Sequence, residues 1–453
     1  MDLTLHYDKT YQTFEGFGAS AAWWAQEVGG WEHTDPVSGL AVRDRISQLL
    51  FSKTEGIGLR TYRYNLGAGS KESGKGSFPN PLRRAECFET APGVYDFSKD
   101  KNAVYLLRQA VKDGADEVVF FVNSPPERLT KTGLAHGVKA FRDNLPKENE
   151  KAFAAYVLDV TEHFVGEGLP VRYVSPINEP LWKWTGGQEG CHYWPRSAAR
   201  VMKVFADELA KRKALDGVRL SGLENGDIRW FNKSYTRRLI QHKAVRDVID
   251  SVDLHSYFLN PVDWPLLRRP DYLKRYRRWL DRHCPGLAVK MSEWTHMQGG
   301  RDKGMDSALV MARTMCEDIA LLNVTSWQHW IAVSEVDYCD GLIYINLDDK
   351  TFEMTKRYYA TGNFSKYIPY GAVRFEAKAD DKDLLMLGFQ KENRVTLIVV
   401  NETNEAKALT VPENAVQIVT SDTDELTEQP IENGTAAVKP RSVNTFLFER
   451  ASV

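Results

Sequence analysis

Two glutamates stand in matching contexts. Glu179 falls near the end of Tyr173-Val-Ser-Pro-Ile-Asn-Glu-Pro180, and Glu293 near the end of Ala288-Val-Lys-Met-Ser-Glu-Trp294. Each follows a short apolar run that turns polar, as a buried parallel strand does at its carboxyl edge. They lie 114 positions apart, about three strand-plus-helix units of roughly 30 to 45 residues each. Two carboxylates would then share one rim of a barrel, an arrangement that can open an acetal. Glu179 is the candidate acid/base and Glu293 the candidate nucleophile. A carboxyl separation of about 5 Å would predict retention of anomeric configuration, and one nearer 8 Å inversion.

The partners such a pair needs are also legible. Arg63, in Gly58-Leu-Arg-Thr-Tyr-Arg-Tyr-Asn-Leu-Gly67, is a cation able to keep a nucleophilic carboxylate ionised, or else a salt bridge to the barrel wall. Tyr257 could donate to the same carboxylate. Asn178, immediately before the acid, can face a sugar 2-hydroxyl, a contact that strengthens in an oxocarbenium-like transition state. Asn65, Asn123 and His255 end their own strands and are further candidates for substrate contact. Trp24, Trp182 and Trp330 are candidate platforms, since sugars stack their C–H faces on such rings, although aromatic residues also fill cores. Glu224 and Asp227 form a rival carboxylate pair, with Glu224 read as a group that orders its neighbours.

Eight strands must carry these residues. They are expected around residues 12–20, 58–67, 117–123, 171–178, 218–227, 252–258, 288–294 and 325–330, with helical spacing between them, for example in 150–165 and 308–322. This is the pattern of a (β/α)8 barrel, with polar residues at the carboxyl ends where such barrels place their chemistry. A last helix is expected over 351–368. Short alternating segments separated by turns then fill 384–448 and indicate an antiparallel β-sandwich. Residues 3 to 13 alternate as well and are assigned to that sandwich. The expected organisation is a sandwich strand at 1–13, a catalytic barrel at 14–367 and a C-terminal sandwich at 368–453.

Composition narrows the classes. With 59 basic and 61 acidic residues the chain has no electrostatic footprint for nucleic acid or an anionic membrane. Five scattered cysteines suggest neither a disulfide framework nor a zinc site, and no metal or cofactor motif appears. No secretory signal or 18-residue apolar run is seen, so a cytoplasmic protein is expected unless a leader has been removed; action on imported oligosaccharides would favour an exo or short-chain mode, with endo action the alternative. Two other classes were weighed: a sugar-binding barrel without activity, and a Schiff-base lyase. The first should have lost a carboxylate, and the second would have to use Lys290, which lies inside its strand.

Several motifs together resemble glycoside hydrolase family 30 of the clan-A retaining glycosidases. They are Phe14-Glu-Gly-Phe-Gly18, Arg63-Tyr-Asn-Leu-Gly67, Asn123-Ser-Pro-Pro126, Asn178-Glu179-Pro180, Ser292-Glu293-Trp294 and Trp327-Gln-His-Trp330. The resemblance spans essentially the whole chain. It implies the barrel with a side sandwich from both chain ends, a covalent glycosyl-enzyme, retention and no metal. Gly18-Ala-Ser-Ala-Ala-Trp-Trp24 is most similar to the β-1,6-galactanase branch, implying β-1,6-linked galactosides as substrate. The chain departs from that branch at Glu127 and Arg128, where tryptophans are usual, which leaves β-xylosides, β-glucosides, β-fucosides and β-glucuronides as alternatives.

Overall fold

A computed structural model describes residues 1–229, 232–257 and 268–450. Eight parallel strands form one sheet: Gly16–Ser20, Thr61–Leu66, Glu117–Val122, Val171–Ser175, Arg219–Leu220, Ser251–His255, Ala288–Trp294 and Ser326–His329. Each pairs with its neighbours in sequence order, and the eighth returns to the first, Ser326 facing Gly16. The remaining gap, between the fifth and sixth strands, is bridged at Leu220–Ile249 and Asn225–Leu254. The ring is thereby a (β/α)8 barrel. Its strands are buried almost throughout, which is why they read as continuous apolar runs rather than alternating ones. Helices such as Glu150–Gly166 and Pro195–Leu209 cover the outside, presenting Phe153, Val157, Phe164, Met202 and Phe205 to the wall.

Both chain ends build the second layer. The strand Leu3–Phe14 pairs antiparallel with Ala372–Ala379, which leads on through Leu384–Lys391, Arg394–Asn401, Ser442–Glu449, Val416–Thr420 and Thr427–Gln429. A hairpin-like pair, Lys407–Thr410 with Thr435–Val438, closes a separate core around Leu397, Leu409, Val438 and Phe446.

The structure corrects the sequence reading in two places. Residues 351–354 are not the start of a helix: Thr351–Met354 is a strand paired antiparallel with Ile343–Asn346, and the helix runs only over Lys356–Ser365. Thr355 makes the break, its side chain accepting from the Tyr358 amide as the N-cap. The fifth barrel strand is also much shorter than the expected 218–227, because after Leu220 its backbone touches neighbours only through single bridges. The expected sixth strand ended on Phe258, which lies outside the described residues.

Candidate active site

Strands four and seven deliver the two glutamates to one cavity of about 870 Å³ at the carboxyl end of the barrel. One carboxylate oxygen of Glu179, one of Glu293 and a ring nitrogen of His255 all lie within 4.8 Å of one another. Glu293 sits in register with His255 on strand six. Glu179 is held differently. Its φ of 43° is in the left-handed region, costly for a side chain other than glycine, and its amide donates to the Glu224 carbonyl at 2.8 Å. Gly226 makes room for it, since a Cβ there would come within 2.5 Å of Glu179 Oε1.

Behind the pair is a buried ionic cluster. Arg63, fully buried, donates Nη1 to Glu293 Oε2 at 2.6 Å and Nη2 to Glu224 Oε2 at 2.7 Å. His255 bridges the other side, Nδ1 to Glu179 Oε1 and Nε2 to Glu224 Oε2, each at 3.0 Å. Tyr257 Oη donates to Glu293 Oε1 at 3.0 Å. Glu224 therefore ties together the two cations that reach the glutamate pair.

The charges follow from these contacts. Burial alone would raise the Glu224 carboxyl, but the Arg63 charge and the His255 hydrogen bond hold it down to about 2. Burial alone would lower the His255 imidazole, but Glu293, Glu179 and Glu224 hold it up at about 10. Burial raises Glu293 above the ordinary carboxylate range, with His255 and Arg63 opposing and Glu179 and Glu224 adding to it. Two cations, Arg63 and His255, thus face three carboxylates, Glu179, Glu224 and Glu293. Glu179, His255 and Glu293 could geometrically converge on a metal ion. A metal ion there would have to displace the proton that the three carboxylates favour on His255.

The raised His255 has a consequence for stability. A ring near 6.5 when unfolded and about 10 when folded adds stability that is complete below about pH 6.5 and lost as pH rises through 10. We expect the melting-temperature gap between the wild type and His255→Gln to narrow over that window. A gap independent of pH would mean that the buried ring is neutral.

The residues anticipated as substrate contacts separate by depth. Asn178, Tyr257, Trp182 and Trp330 line the cavity with the two glutamates. Arg63 and His255, both 0% exposed, lie behind the glutamates, whereas Asn65 and Asn123, 8% and 3% exposed, are about as buried as Asn178 at 4% and are joined to it. Arg63 Nη2 donates to Asn178 Oδ1, Asn178 Nδ2 to Asn123 Oδ1, and Asn123 Nδ2 to Asn65 Oδ1. This relay fixes which face of Asn178 is turned to the cavity. Trp24 is also corrected. The chain turns at Trp23 (φ 66°), and the helix beginning at Trp24 points that indole into the wall, where Nε1 donates to the Ser20 carbonyl at 3.0 Å. Trp23 lines the cavity instead, edge-on to Trp330 with ring centroids 5.1 Å apart. Lys290 has no part in the site: its ammonium pairs with Glu15 and lies over the Tyr173 ring.

Comparison with known proteins agrees with this geometry. Residues 1–344 match the family model described as O-Glycosyl hydrolase family 30. An endo-beta-1,6-galactanase from Hypocrea rufa is 26% identical over 406 residues, covering 82% of this chain and 75% of that protein. An endo-1,6-beta-D-glucanase from Aspergillus fumigatus is 22% identical over 226 residues, 49% of this chain and 42% of that one. Among solved structures, a conserved exported protein from Bacteroides fragilis superposes with a TM-score of 0.87 at 21% identity, covering 99% of this chain and 100% of that one.

Proposed function

The chain belongs to O-glycosyl hydrolase family 30 and is an O-glycoside hydrolase, and from that premise we propose that it cleaves β-1,6-linked galactosides with retention, through Glu293 as nucleophile and Glu179 as acid/base. The observation that carries the mechanism is the approach of the two carboxylates to within 4.8 Å. That gap fits direct attack and leaves too little room for the water that inversion places between them. In the first step a Glu293 oxygen bonds to the anomeric carbon as the bond to the leaving oxygen breaks, and Glu179 passes its proton to that oxygen. In the second step water attacks the same carbon, Glu179 takes a proton from the water, and the Glu293 ester bond breaks.

The hydrogen bonds divide the roles. Three donors converge on or near the Glu293 carboxylate: Arg63, Tyr257 and, at 3.5 Å, His255. Glu179 has His255 alone among these and is the more exposed of the two. The role of nucleophile is therefore assigned to Glu293 and that of acid/base to Glu179. Asn178, held by its relay, is the proposed partner of the 2-hydroxyl, and its bonds to Arg63 and Asn123 support that reading.

Sugar identity rests on likeness. The Hypocrea rufa relative supports galactosyl, and the Aspergillus fumigatus relative favours a second reading, β-1,6-glucosyl. A panel of aryl β-glycosides (galactoside, glucoside, xyloside, fucoside, glucuronide) with β-1,6-galactobiose and gentiobiose decides it. We expect the galactosyl members to have the highest kcat/KM, and proton NMR of the first-formed product to show the β-anomer. A preference for the glucosyl members selects the second reading, and an α-anomer as first product rules out double displacement.

A further inference from the structure

The cavity is asymmetric about the glutamate pair. Around Glu293 the aromatic walls, Tyr257 and Trp23, are 5% and 8% exposed and Trp330 is partly buried, with Met297, at 45%, the open apolar side chain that follows Glu293 in the chain. On the side of Glu179 three large aromatic rings are open to solvent: Trp182 at 51%, Phe141 at 48% and Trp194 at 43%. They form one group. The Trp182 amide donates to the Glu179 carbonyl at 3.1 Å, so this ring belongs to the same turn as the acid. Beneath the group lies buried His192, whose Nδ1 is 3.1 Å from the Trp182 carbonyl oxygen and whose ring packs edge-on to Trp194 and Phe141, with centroids 4.9 and 5.8 Å away. The Trp194 amide is fixed by Asp143 Oδ1 at 3.0 Å.

Isolated exposed aromatic residues need no explanation, but a contiguous exposed set at the mouth of a site does. One member of this set is also held at a conformational cost. Phe141 has φ 55°, and Trp23, Glu179 and Trp184, which line the same cavity, are left-handed as well. Such backbone persists where the surroundings enforce it, most often at functional sites.

We propose that Phe141, Trp182 and Trp194 form a platform for the sugar units on the leaving-group side of the scissile bond, so that the protein cleaves within an oligosaccharide chain and draws binding energy from at least two units beyond the cut. The proposal rests on Glu179 being the acid, because the group that protonates the leaving oxygen must face the leaving sugar. Successive sugars present alternating apolar C–H faces, which suits rings spaced outward from the acid. Of the endo and exo modes left open by the sequence, the platform favours the endo mode.

The test uses end-labelled β-1,6-galacto-oligosaccharides of two to six units, the matching β-1,6-gluco series and an aryl β-galactoside, with the wild type, Trp182→Ala and Phe141→Ala. In the wild type, kcat/KM should rise at least about tenfold when a second sugar is added on the leaving side. Each variant should lose about 10- to 100-fold on the longer substrates, chiefly through KM, and at least about tenfold less on the aryl glycoside. A rate independent of leaving-group length, equal losses on both substrate types, or cleavage of neither oligosaccharide series overturns the proposal. Cleavage of the gluco series alone removes the galactosyl reading while the same length dependence is read there.

Discussion

Glu293→Gln should lower turnover on every β-glycoside by on the order of 10⁴-fold or more, with folding nearly unchanged. The amide keeps the shape of the carboxylate but cannot form the ester, and it removes one negative charge from a cluster in which two cations meet three carboxylates. Glu179→Gln should behave differently. Loss of a general acid costs about 10²- to 10⁴-fold, and the deficit should be largest for sugar leaving groups and smallest for a nitrophenolate, which departs without a proton. If both variants lose equally on the two leaving groups, the roles assigned to the glutamates are wrong. Near-normal activity in either removes that residue from the mechanism.

Arg63→Met should be the most damaging change to the framework. Its guanidinium is fully buried and joins Glu293, Glu224 and Asn178, at 2.6, 2.7 and 3.1 Å. Removing one member of a buried ion pair costs about 3 to 5 kcal/mol, because the remaining charge is left without compensation. Urea denaturation should show a loss of that order, and kcat should fall with it as Glu293, deprived of its cation, takes up a proton more readily. Arg63→Lys should rescue little, since an ammonium on a flexible stem does not reproduce a planar fork reaching three acceptors. A stability loss under about 1 kcal/mol would mean that the cluster relaxes or hydrates on losing the arginine.

How much of this was legible in the sequence depended on what the pattern encodes. Strand ends announce themselves, because an apolar run that stops at a polar residue marks the barrel mouth; Glu179, Glu293 and Asn178 were found in this way. Depth does not. Arg63 and His255 end strands in the same grammar, yet both are fully buried and hold other side chains, and strands buried on both faces carry no period that separates the two layers. Trp24 and Trp23 are adjacent and chemically identical, and only the left-handed turn at Trp23 decides which of them sees the cavity. Gly226 was missed because its value is the absence of a Cβ beside Glu179, a contact between strand ends far apart in the chain. Glu224 was read as a residue that orders its neighbours, but those neighbours, Arg63 and His255, were unknowable before the barrel closed. The strand at Thr351–Met354 was lost to a helical reading because Phe352, Tyr358 and Tyr359 keep helical spacing, while the cap at Thr355 divides them.

Trapping the glycosyl-enzyme with a 2-deoxy-2-fluoro-β-galactosyl fluoride, followed by peptide mass spectrometry, addresses the two-glutamate mechanism most directly. The fluorine at position 2 slows hydrolysis of the ester more than its formation, so the sugar should be recovered on the peptide carrying Glu293, and Glu293→Gln should give no label. A label on Glu179 or Glu224, or turnover of the reagent with inversion and no adduct, would contradict it.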